Sequence, residues 1–513
     1  MNREAGAPGR GLGDADPDVL VVGGGTAGAV VAGRLVEAGL RVQVLEAGPD
    51  YGTLSGGRWP DELLDAARLP VLHDWGYVGP GATGQVLRFE RARVIGGCSA
   101  HNGCAQSVGW RGDYDRWASS GCPGWSGAEL EPFFARGAAR MRIRRFSSPE
   151  IQPFQRAFMD AAVRAGVPEA NDLDDLDGGV GCGAEPVNVV DGIRWNAAFA
   201  YLDPVRGGDR LVVVGDALVD RVLLRGNRAT GVLAIVAGDM RDVRADMVVL
   251  AAGSYGSPEI LLRSGIGPAD DLREMGIDVA VDLPGVGENL HDQPAAELRF
   301  AGTEQLRADL EAFSAERWLP EEQAIAKIAP TRPDGPYNVH VYPWVEPDTE
   351  THNGWRCVIP VGLLTPRSRG RLRLRSADPF QLAEVDHGYL AEPTDVEALV
   401  AALEWAIDLA RSQPIARYLG DPIDSLPDGD GRAAVAAWIR SAHTHYWHPA
   451  GSCRMGPSDD PRSVLDAHGR VHGVDRLRVA DASIFPDIPR ATPAFPTVVV
   501  GERIADMIVL DET

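Results

Sequence analysis

The hydrophobic pattern of the chain begins with two short apolar runs that enclose a glycine-rich turn and a helix. Residues 18–22 are mostly apolar and β-branched, and the glycine-rich turn follows at residues 23–28. Residues 29–38 are rich in Ala and Val and predict a helix, and residues 41–45 form a second apolar run. A strand, a turn, a helix and a second strand in this order form the unit that builds a parallel sheet.

Elements of the same type recur later in the chain. They are strands at residues 211–224, 247–252 and 477–480, and a helix at residues 497–510. Segments of different character lie between them, with strands predicted over residues 337–390 and helices over residues 394–441. The pattern therefore predicts an α/β lobe assembled from separated segments, with a second lobe inserted between them.

Composition narrows the class of protein. With 513 residues, 44% of them hydrophobic, the chain has enough apolar material for a large core or for two fused lobes. Its formal net charge of −23 argues against nucleic acids and anionic membranes as partners, because both are bound through clustered Lys and Arg. The acidic excess is typical of a solvated surface, and attraction of a cationic substrate stays open as a second explanation.

The cysteines and the N-terminus bear on the compartment. The six cysteines are scattered without close pairs, which argues against a disulfide scaffold or a structural metal site and favours a reducing, cytoplasmic location. Residues 1–17 lack the apolar core of a signal peptide and are expected to form a disordered lead-in. The apolar run at residues 19–25 is too short to span a bilayer.

The turn after the first strand carries a phosphate-binding pattern. Gly23, Gly25 and Gly28 form a Gly-x-Gly-x-x-Gly motif, which permits a tight turn and a close approach of the backbone to a pyrophosphate. The helix that follows offers free N–H groups at its N-terminus, where Thr26 and Ala27 lie. These residues are therefore predicted to contact a dinucleotide.

The end of the second strand strengthens this interpretation. Glu46 lies eighteen residues after Gly28, where its carboxylate can accept hydrogen bonds from a ribose hydroxyl, and Ala47 follows it. A bare glycine motif is weak evidence, but strand, helix, second strand and terminal acid together are strong evidence for a dinucleotide site. The motif does not distinguish FAD from NAD, and a glycine-rich turn without a ligand is the alternative.

Further segments resemble the glucose–methanol–choline (GMC) family of flavin oxidoreductases, in the order of that family. They are residues 93–103 (RVIGGCSAHNG), 113–117 (DYDRW), 251–262 (AAGSYGSPEILL), 284–292 (PGVGENLHD), 448–456 (HPAGSCRMG) and 477–483 (LRVADAS). The resemblance covers about residues 18–510. Within the family, the loop at residues 96–103 and the tail at residues 501–503 look most like those of the choline oxidases.

The resemblance implies FAD as the cofactor and a GMC fold, in which a Rossmann-like FAD-binding domain carries an inserted antiparallel-sheet substrate-binding domain. The FAD-binding domain is expected at residues 18–110, 190–300 and 442–513, and the substrate-binding domain at residues 111–189 and 301–441. Further cofactor contacts are expected from Arg93, Gly96, Gly97, His101, Asn102, Gly103, Val219, Asp481 and Ala482. Asp481 has a second interpretation, as an acid that caps a helix.

The same resemblance indicates a catalytic residue. His448 matches the family's catalytic histidine, and His is suited to take a hydroxyl proton near neutral pH while the carbinol carbon delivers a hydride to flavin N5. The family usually has a second His or Asn nine residues before a Gly or Ala in the final helix, where this chain has Thr492. Since Thr is a poor base, either it orients the substrate or His448, or another group has taken over that role.

Three more residues are candidates for the site. The resemblance to choline oxidases implies that His101 is the point of covalent attachment of the flavin, and the alternative is that His101 only packs near the ring. His340, in a predicted strand at residues 338–342, and Trp447 are candidates for the substrate pocket.

The predicted function is the FAD-dependent oxidation of a small alcohol, with primary alcohols favoured, to an aldehyde or ketone. Oxygen or another carrier is expected to accept the electrons, and a homodimer is a further expectation. A GMC-fold lyase such as a hydroxynitrile lyase, and a redox-silent flavin-binding homologue, stay open as alternatives.

Overall fold

The structure is a computed structural model and describes residues 16–331, 334–424 and 431–512. The predicted disordered lead-in lies outside the described residues, apart from residues 16 and 17. A search of the described ranges finds no helix with the length and apolar character needed to cross a membrane.

A parallel sheet of five strands forms one layer of the described chain. Its strands, in order across the sheet, are Leu211–Val214, Val42–Leu45, Val19–Val22, Met247–Leu250 and Leu477–Val479. Val19 lies opposite Val42 on one side and Met247 on the other, in parallel register. All four residues of the central strand are buried, which explains why this strand has a continuous apolar run instead of alternation.

The predicted first and last helices are both present, and they pack against each other. The first helix is Thr26–Glu37, which begins three residues earlier than predicted because the glycine turn leads directly into it. The last helix is Ala494–Glu512. A Cβ on Gly501 would lie 2.7 Å from the Cβ of Val30, so the two helices approach each other too closely for a larger side chain.

A largely antiparallel sheet forms the second layer of the described chain. Its strands in order are Leu419–Pro422, Pro294–Gly302, Trp355–Leu363, Val339–Val341, Ala324–Ile328 and Gly181–Ala184, with Trp344–Pro347 beside Trp355–Leu363 and Thr444–His445 beside Pro294–Gly302. The predicted division assigned residues 190–300 and 442–513 to the FAD-binding segments. The pairing places Pro294–Gly302 and Thr444–His445 in the antiparallel sheet instead, and the division as a whole stays a prediction.

The remaining elements surround these two sheets. The other α-helices are Asp61–Leu64, Arg111–Ser119, Gly127–Arg140, Pro153–Arg164, Gly253–Arg263, Ala269–Glu274, Glu304–Ser314, Pro393–Arg411 and Arg432–Ala442. Smaller antiparallel sheets are Ala217–Arg225 with Arg228–Val236 and Asp239–Arg244, Tyr77–Pro80 with Val86–Phe89, Arg371–Arg373 with Glu384–Asp386, Arg144–Arg145 with Pro186–Val187, and Val189–Val190 with Ile193–Arg194; Ile266–Gly267 and Val281–Asp282 pair in parallel. The predicted strands at residues 337–390 and helices at residues 394–441 are confirmed, although the strand Leu419–Pro422 interrupts the helices.

Candidate active site

A cavity of about 510 Å³ is lined by residues from both main sheets. Most of the predicted site residues line it: Gly23, Gly25, Thr26, Ala27, Glu46, Ala47, Gly97, His101, Asn102, Gly103, Val219, Trp447, His448, Asp481, Ala482 and Thr492. These residues come from distant parts of the sequence, and the fold brings them to one place. Gly28, Arg93, Gly96 and His340 do not line the cavity.

Glycine is required at each of the three motif positions for a different structural reason. Gly23 has a φ of +94°, and a Cβ there would lie 2.5 Å from the Ala251 carbonyl oxygen. A Cβ on Gly28 would overlap the carbonyl oxygen of Gly23, so Gly28 permits the helix to pack on the turn. At Gly25 the nearest atom to a Cβ is the Gly97 Cα at 3.6 Å, so only there does glycine leave space at the cavity.

The N-terminus of the first helix is open to an anion. The N-cap residue Gly25 provides no side-chain cap, and the first turn contains no acidic residue. Thr26 and Ala27 line the cavity at this end. The first N–H groups of a helix have no partner within it, and they carry the positive end of the helix dipole. The turn therefore fits a pyrophosphate.

Glu46 lines the cavity at the end of the second strand. Its Oε2 accepts a hydrogen bond from the Gly24 amide at 2.8 Å, and its Oε1 accepts one from the Gly48 amide at 2.9 Å. Burial raises the pKa of the Glu46 carboxyl, and these two bonds oppose that effect. Both oxygens keep lone pairs that can accept from ribose hydroxyls. Arg93, outside the cavity, donates to the Ala47 carbonyl at 3.0 Å and supports this corner.

The loop at residues 96–103 is fastened to the glycine turn. The Gly96 amide donates to the Gly24 carbonyl at 2.7 Å. A Cβ on Gly97 would lie 2.6 Å from the Gly25 Cα, so a larger residue there would push the two loops apart. The backbone carbonyl of Asn102 accepts from Arg194 Nε at 2.7 Å. The loop thus presents His101, Asn102 and Gly103 to the cavity in a fixed conformation.

Asp481 serves as a helix cap and also lines the cavity. Its Oδ1 accepts from the Ser483 amide at 2.8 Å, which caps the short helical turn Ala482–Ile484. Its Oδ2 accepts from the Gly253 amide at 2.9 Å and from the Ser257 hydroxyl at 2.5 Å. The helix-cap interpretation is therefore confirmed, and it does not exclude a cofactor contact, because Asp481 is part of the cavity wall.

Hydrogen bonds to Gln293 fix the tautomer of His448. The Gln293 Nε2 lies within 3.0–3.3 Å of the carbonyl oxygens of Leu364, Pro489 and Ala491, so its amide group donates on that side. Its Oε1 therefore faces His448 Nδ1, at 2.6 Å, as an acceptor. Nδ1 must carry the proton, which leaves His448 Nε2 with a free lone pair.

The backbone of His448 is held separately from its ring. The His448 amide donates to Asp292 Oδ1 at 2.8 Å, and the Tyr389 hydroxyl donates to Asp292 Oδ2 at 2.9 Å. Burial, with the charges of Arg91 and His445, holds the pKa of His448 well below its ordinary value. The imidazole is therefore neutral at neutral pH and can accept a proton.

The hydroxyl of Thr492 is already occupied. It donates to the Ala105 carbonyl at 3.2 Å and accepts from the Ser107 amide at 3.2 Å, and its Oγ1 lies 3.1 Å from the Ser107 hydroxyl. The Thr492 amide in turn donates to Ser107 Oγ at 2.8 Å. These contacts fasten the start of the last helix to residues 105–107 and give Thr492 no freedom to act as a second base.

Comparison with known proteins identifies the family. The family models described as GMC oxidoreductase match residues 17–295 and residues 366–501 of this chain. This chain belongs to the GMC oxidoreductase family. Members of this family bind FAD and act generally on CH–OH groups, so the predicted family and fold class are confirmed.

Individual GMC proteins are similar over nearly the whole chain. Choline oxidase of Arthrobacter globiformis is 32% identical, and the match covers 97% of this chain and 95% of that protein. The 5-(hydroxymethyl)furfural oxidase of Methylovorus sp. is 33% identical, with coverage of 96% and 98%. The crystal structure of pyridoxine 4-oxidase from Mesorbium loti has a TM-score of 0.85 and 27% identity, with coverage of 95% and 98%.

The prediction that His340 belongs to the substrate pocket needs correction. Its side chain is fully buried and does not line the cavity. It stacks on Tyr337, with ring centroids 5.9 Å apart. The Tyr446 hydroxyl donates to the His340 carbonyl at 3.1 Å, and Tyr446 lines the cavity. Trp447 does line the cavity, with its Nε1 donating to Glu90 Oε2 at 2.6 Å.

The sequence alone does not identify two residues that position His448, namely Asp292 and Gln293. Asp292 ends the family-like segment 284–292, but no role followed from that match. Gln293 is the next residue and lies just outside that segment. Both act through contacts with His448, about 155 positions later in the chain. The sequence signal that could indicate them is their position at the end of the family-like segment 284–292 and directly after it.

Proposed function

We propose that this protein is an FAD-dependent enzyme that oxidises an alcohol, with primary alcohols favoured, and that His448 accepts the hydroxyl proton. The proposal rests on one observation. The bond between His448 Nδ1 and Gln293 Oε1 leaves the other ring nitrogen of a neutral, buried imidazole as an acceptor in the cavity.

The proposed reaction divides the work between the cofactor and the chain. Bound FAD supplies the hydride acceptor, at flavin N5. His448 Nε2 takes the hydroxyl proton of the alcohol, and the resulting imidazolium keeps its Nδ1–H bond to Gln293. Asp292 accepts the backbone amide of the same residue and so holds His448 in place. Thr492 contributes to the shape of the cavity, because its hydroxyl is already bonded to residues 105–107.

We also propose that His101 attaches the flavin covalently. Its side chain lines the cavity, next to the loop that contacts the glycine turn. Its Nε2 lies 2.8 Å from the Leu72 carbonyl oxygen, and burial lowers its pKa, so the ring is neutral and held in one orientation. A carbonyl only accepts, so Nε2 carries the proton and the lone pair that a bond to a flavin carbon requires lies on Nδ1. That bond would replace a C–H bond of the flavin; the proton would leave to solvent, and the electron pair would reduce the flavin ring, which the electron acceptor of the proposed reaction would reoxidise. The alternative, a His101 that only packs near the ring, predicts FAD that is released on denaturation.

Anaerobic flavin reduction tests the main proposal. The holoenzyme is mixed with a panel of primary alcohols, and bleaching of the oxidised flavin is followed by stopped flow. His448→Ala should slow reduction by about 10²–10⁴-fold with unchanged FAD content, because it removes only the proton acceptor. His472→Ala, a half-buried histidine away from the cavity, serves as the control.

The outcomes separate the alternatives. Reduction at the native rate in His448→Ala contradicts the proposed base. A flavin that no alcohol in the panel reduces would favour a lyase or a redox-silent homologue. Mixing the reduced enzyme with oxygen or with a quinone then identifies the class of electron acceptor.

A further inference from the structure

Trp447 has a backbone conformation that bulky residues rarely adopt. Its φ is +57°, in the left-handed region, where the Cβ of an L-residue crowds the following carbonyl oxygen. Such a conformation costs free energy and persists where the surrounding contacts determine it. Trp447 lines the cavity and directly precedes His448, so its conformation sets the direction in which the chain reaches the proposed base.

Neighbouring side chains hold every polar group of Trp447. Its amide donates to His445 Nδ1 at 3.1 Å, its indole Nε1 donates to Glu90 Oε2 at 2.6 Å, and its carbonyl accepts from Arg91 Nη2 at 2.8 Å. Glu90 and Arg91 are consecutive residues, and both line the cavity. One of them therefore holds the side chain of Trp447, and the other holds its backbone.

The peptide group between Trp447 and His448 is held at both ends. Arg91 donates to its carbonyl, and its N–H donates to Asp292 Oδ1 at 2.8 Å. A cation thus lies at the negative end of the peptide dipole and a carboxyl group at the positive end, and hydrogen bonds with a charged partner are the stronger kind. These two bonds fix the peptide plane from which the His448 side chain starts.

Arg91 is itself anchored to another part of the fold. Its amide donates to Asp74 Oδ1 at 2.8 Å, and its carbonyl accepts from the Trp75 amide at 2.9 Å. Its Nε donates to the Glu90 carbonyl. In the part of the chain that the structure describes, its guanidinium forms no ion pair with a carboxylate, so its donors serve carbonyl groups.

We infer that Glu90 and Arg91 are positioning residues with separate tasks. Arg91 fixes the peptide group that carries His448, which keeps the imidazole on Gln293. Glu90 fixes the Trp447 indole, which forms part of the cavity wall. The inference rests on the proposed role of His448 as the base.

The kinetics of anaerobic flavin reduction separate the two tasks. A concentration series of one alcohol gives the limiting rate of reduction and the dissociation constant of the alcohol. Arg91→Met should lower the limiting rate by roughly tenfold or more, the effect of losing a hydrogen bond to a charged group, with the dissociation constant little changed. Glu90→Leu should raise the dissociation constant and leave the limiting rate near its native value, because the indole loses its partner but the peptide group keeps Arg91.

Two further variants serve as controls for these effects. Glu90→Gln should restore most of the affinity, since its amide oxygen can still accept the indole N–H. Arg88→Met removes an exposed arginine from the strand Val86–Phe89, just before the two residues, and should keep both constants. A native limiting rate in Arg91→Met overturns the role of Arg91, and a native dissociation constant in Glu90→Leu overturns the role of Glu90.

Chemical rescue and a double variant exclude a general loss of structure. Propylguanidinium should raise the rate of Arg91→Ala, which leaves space for it, but not that of Arg91→Met. Because Arg91→Met and Gln293→Leu both release the imidazole, the double variant should lose less than the product of the two single losses. A loss equal to that product contradicts a shared action on His448. Arg91→Lys keeps the charge without the planar fork and should give an intermediate rate, which also tests the inference if Arg91→Met does not retain FAD.

An NMR measurement separates this inference from the proposed oxidation. The holoenzyme is prepared with histidine labelled with nitrogen-15, and the signal that is missing from His448→Ala identifies the ring. The native ring should show one neutral tautomer with its proton on Nδ1, and Arg91→Met should show a mixture of both tautomers. If no alcohol reduces the flavin but the tautomer depends on Arg91, the positioning stands and the oxidation proposal fails. If alcohols reduce the flavin and neither the rate nor the tautomer responds to Arg91, the oxidation stands and the positioning fails.

Discussion

Replacing Gln293 by Leu should slow alcohol oxidation without displacing the cofactor. In the native chain Gln293 Oε1 accepts the Nδ1 proton of His448 at 2.6 Å and so keeps Nε2 free for the substrate. Leu has a similar size but no acceptor. The ring can then carry its proton on Nε2, which leaves that nitrogen without a lone pair to accept the hydroxyl proton of the alcohol. Alternatively, the ring can rotate away from the substrate. The His448 backbone stays in place, because Asp292 holds its amide.

The magnitude follows from the contact that is lost. A buried donor without its acceptor costs about 1–3 kcal/mol, and if that cost applies to the reactive arrangement it slows reduction by about 5- to 150-fold. This is less than the loss expected for His448→Ala, because a fraction of the rings still has Nε2 free. The variant also removes the donor to Leu364, Pro489 and Ala491, which should lower the melting temperature independently of the rate.

Anaerobic stopped-flow reduction, FAD content and thermal unfolding separate these effects. Gln155→Leu is the matched control, since Gln155 is another fully buried glutamine whose Nε2 donates to two backbone carbonyls. The control should lose stability but keep its rate of flavin reduction. Native reduction by Gln293→Leu, or an equal loss of rate in Gln155→Leu, would refute the argument that the Nδ1 bond sets the tautomer.

The other predictions concern the remaining parts of the site. Gly25→Asp should abolish FAD retention, measured as the flavin-to-protein absorbance ratio, because a carboxylate would enter the open space at the helix N-terminus. Acid precipitation should leave the yellow colour with the native protein and release it from His101→Ala; free FAD from the native protein contradicts covalent attachment. Thr492→Val removes a hydroxyl that is bonded to residues 105–107, so flavin reduction should slow by no more than about 2- to 13-fold, and a loss equal to that of His448→Ala would make Thr492 a full catalytic partner. The depressed pKa of His448 predicts a reduction rate that is constant above about pH 6.5 and falls only below it, as the base becomes protonated; a fall that begins above pH 7 contradicts it.

The nucleotide end of the site was predictable from the sequence because its determinants are local. Gly23, Gly25 and Gly28 lie within one turn, and Glu46 ends the next strand of the same unit. Strand pairing, turn geometry and the helix N-terminus follow from this short segment alone. The same reasoning explains why Gly28 was assigned to the cavity although it lies outside it: the motif predicts which glycines are needed, but not that Gly28 is needed for packing.

The substrate end was harder to predict because it depends on pairing between distant segments. His340 lies in the strand Val339–Val341, and its sequence does not say which face of the sheet meets the cavity. A single step along a strand turns a side chain to the opposite face.

The geometry of the proposed base is a property of the antiparallel sheet. The strand Pro294–Gly302 starts directly after Gln293, and Pro294 lies opposite His445 in the register. The Tyr446 amide then donates to the Gln293 carbonyl at 3.0 Å. Two residues further along the chain, His448 lies over the Gln293 side chain. A shift of this register by one residue would move Gln293 to the other face and separate it from the imidazole. The pairing of two segments about 155 residues apart therefore sets the tautomer of His448, and neither segment contains this information by itself.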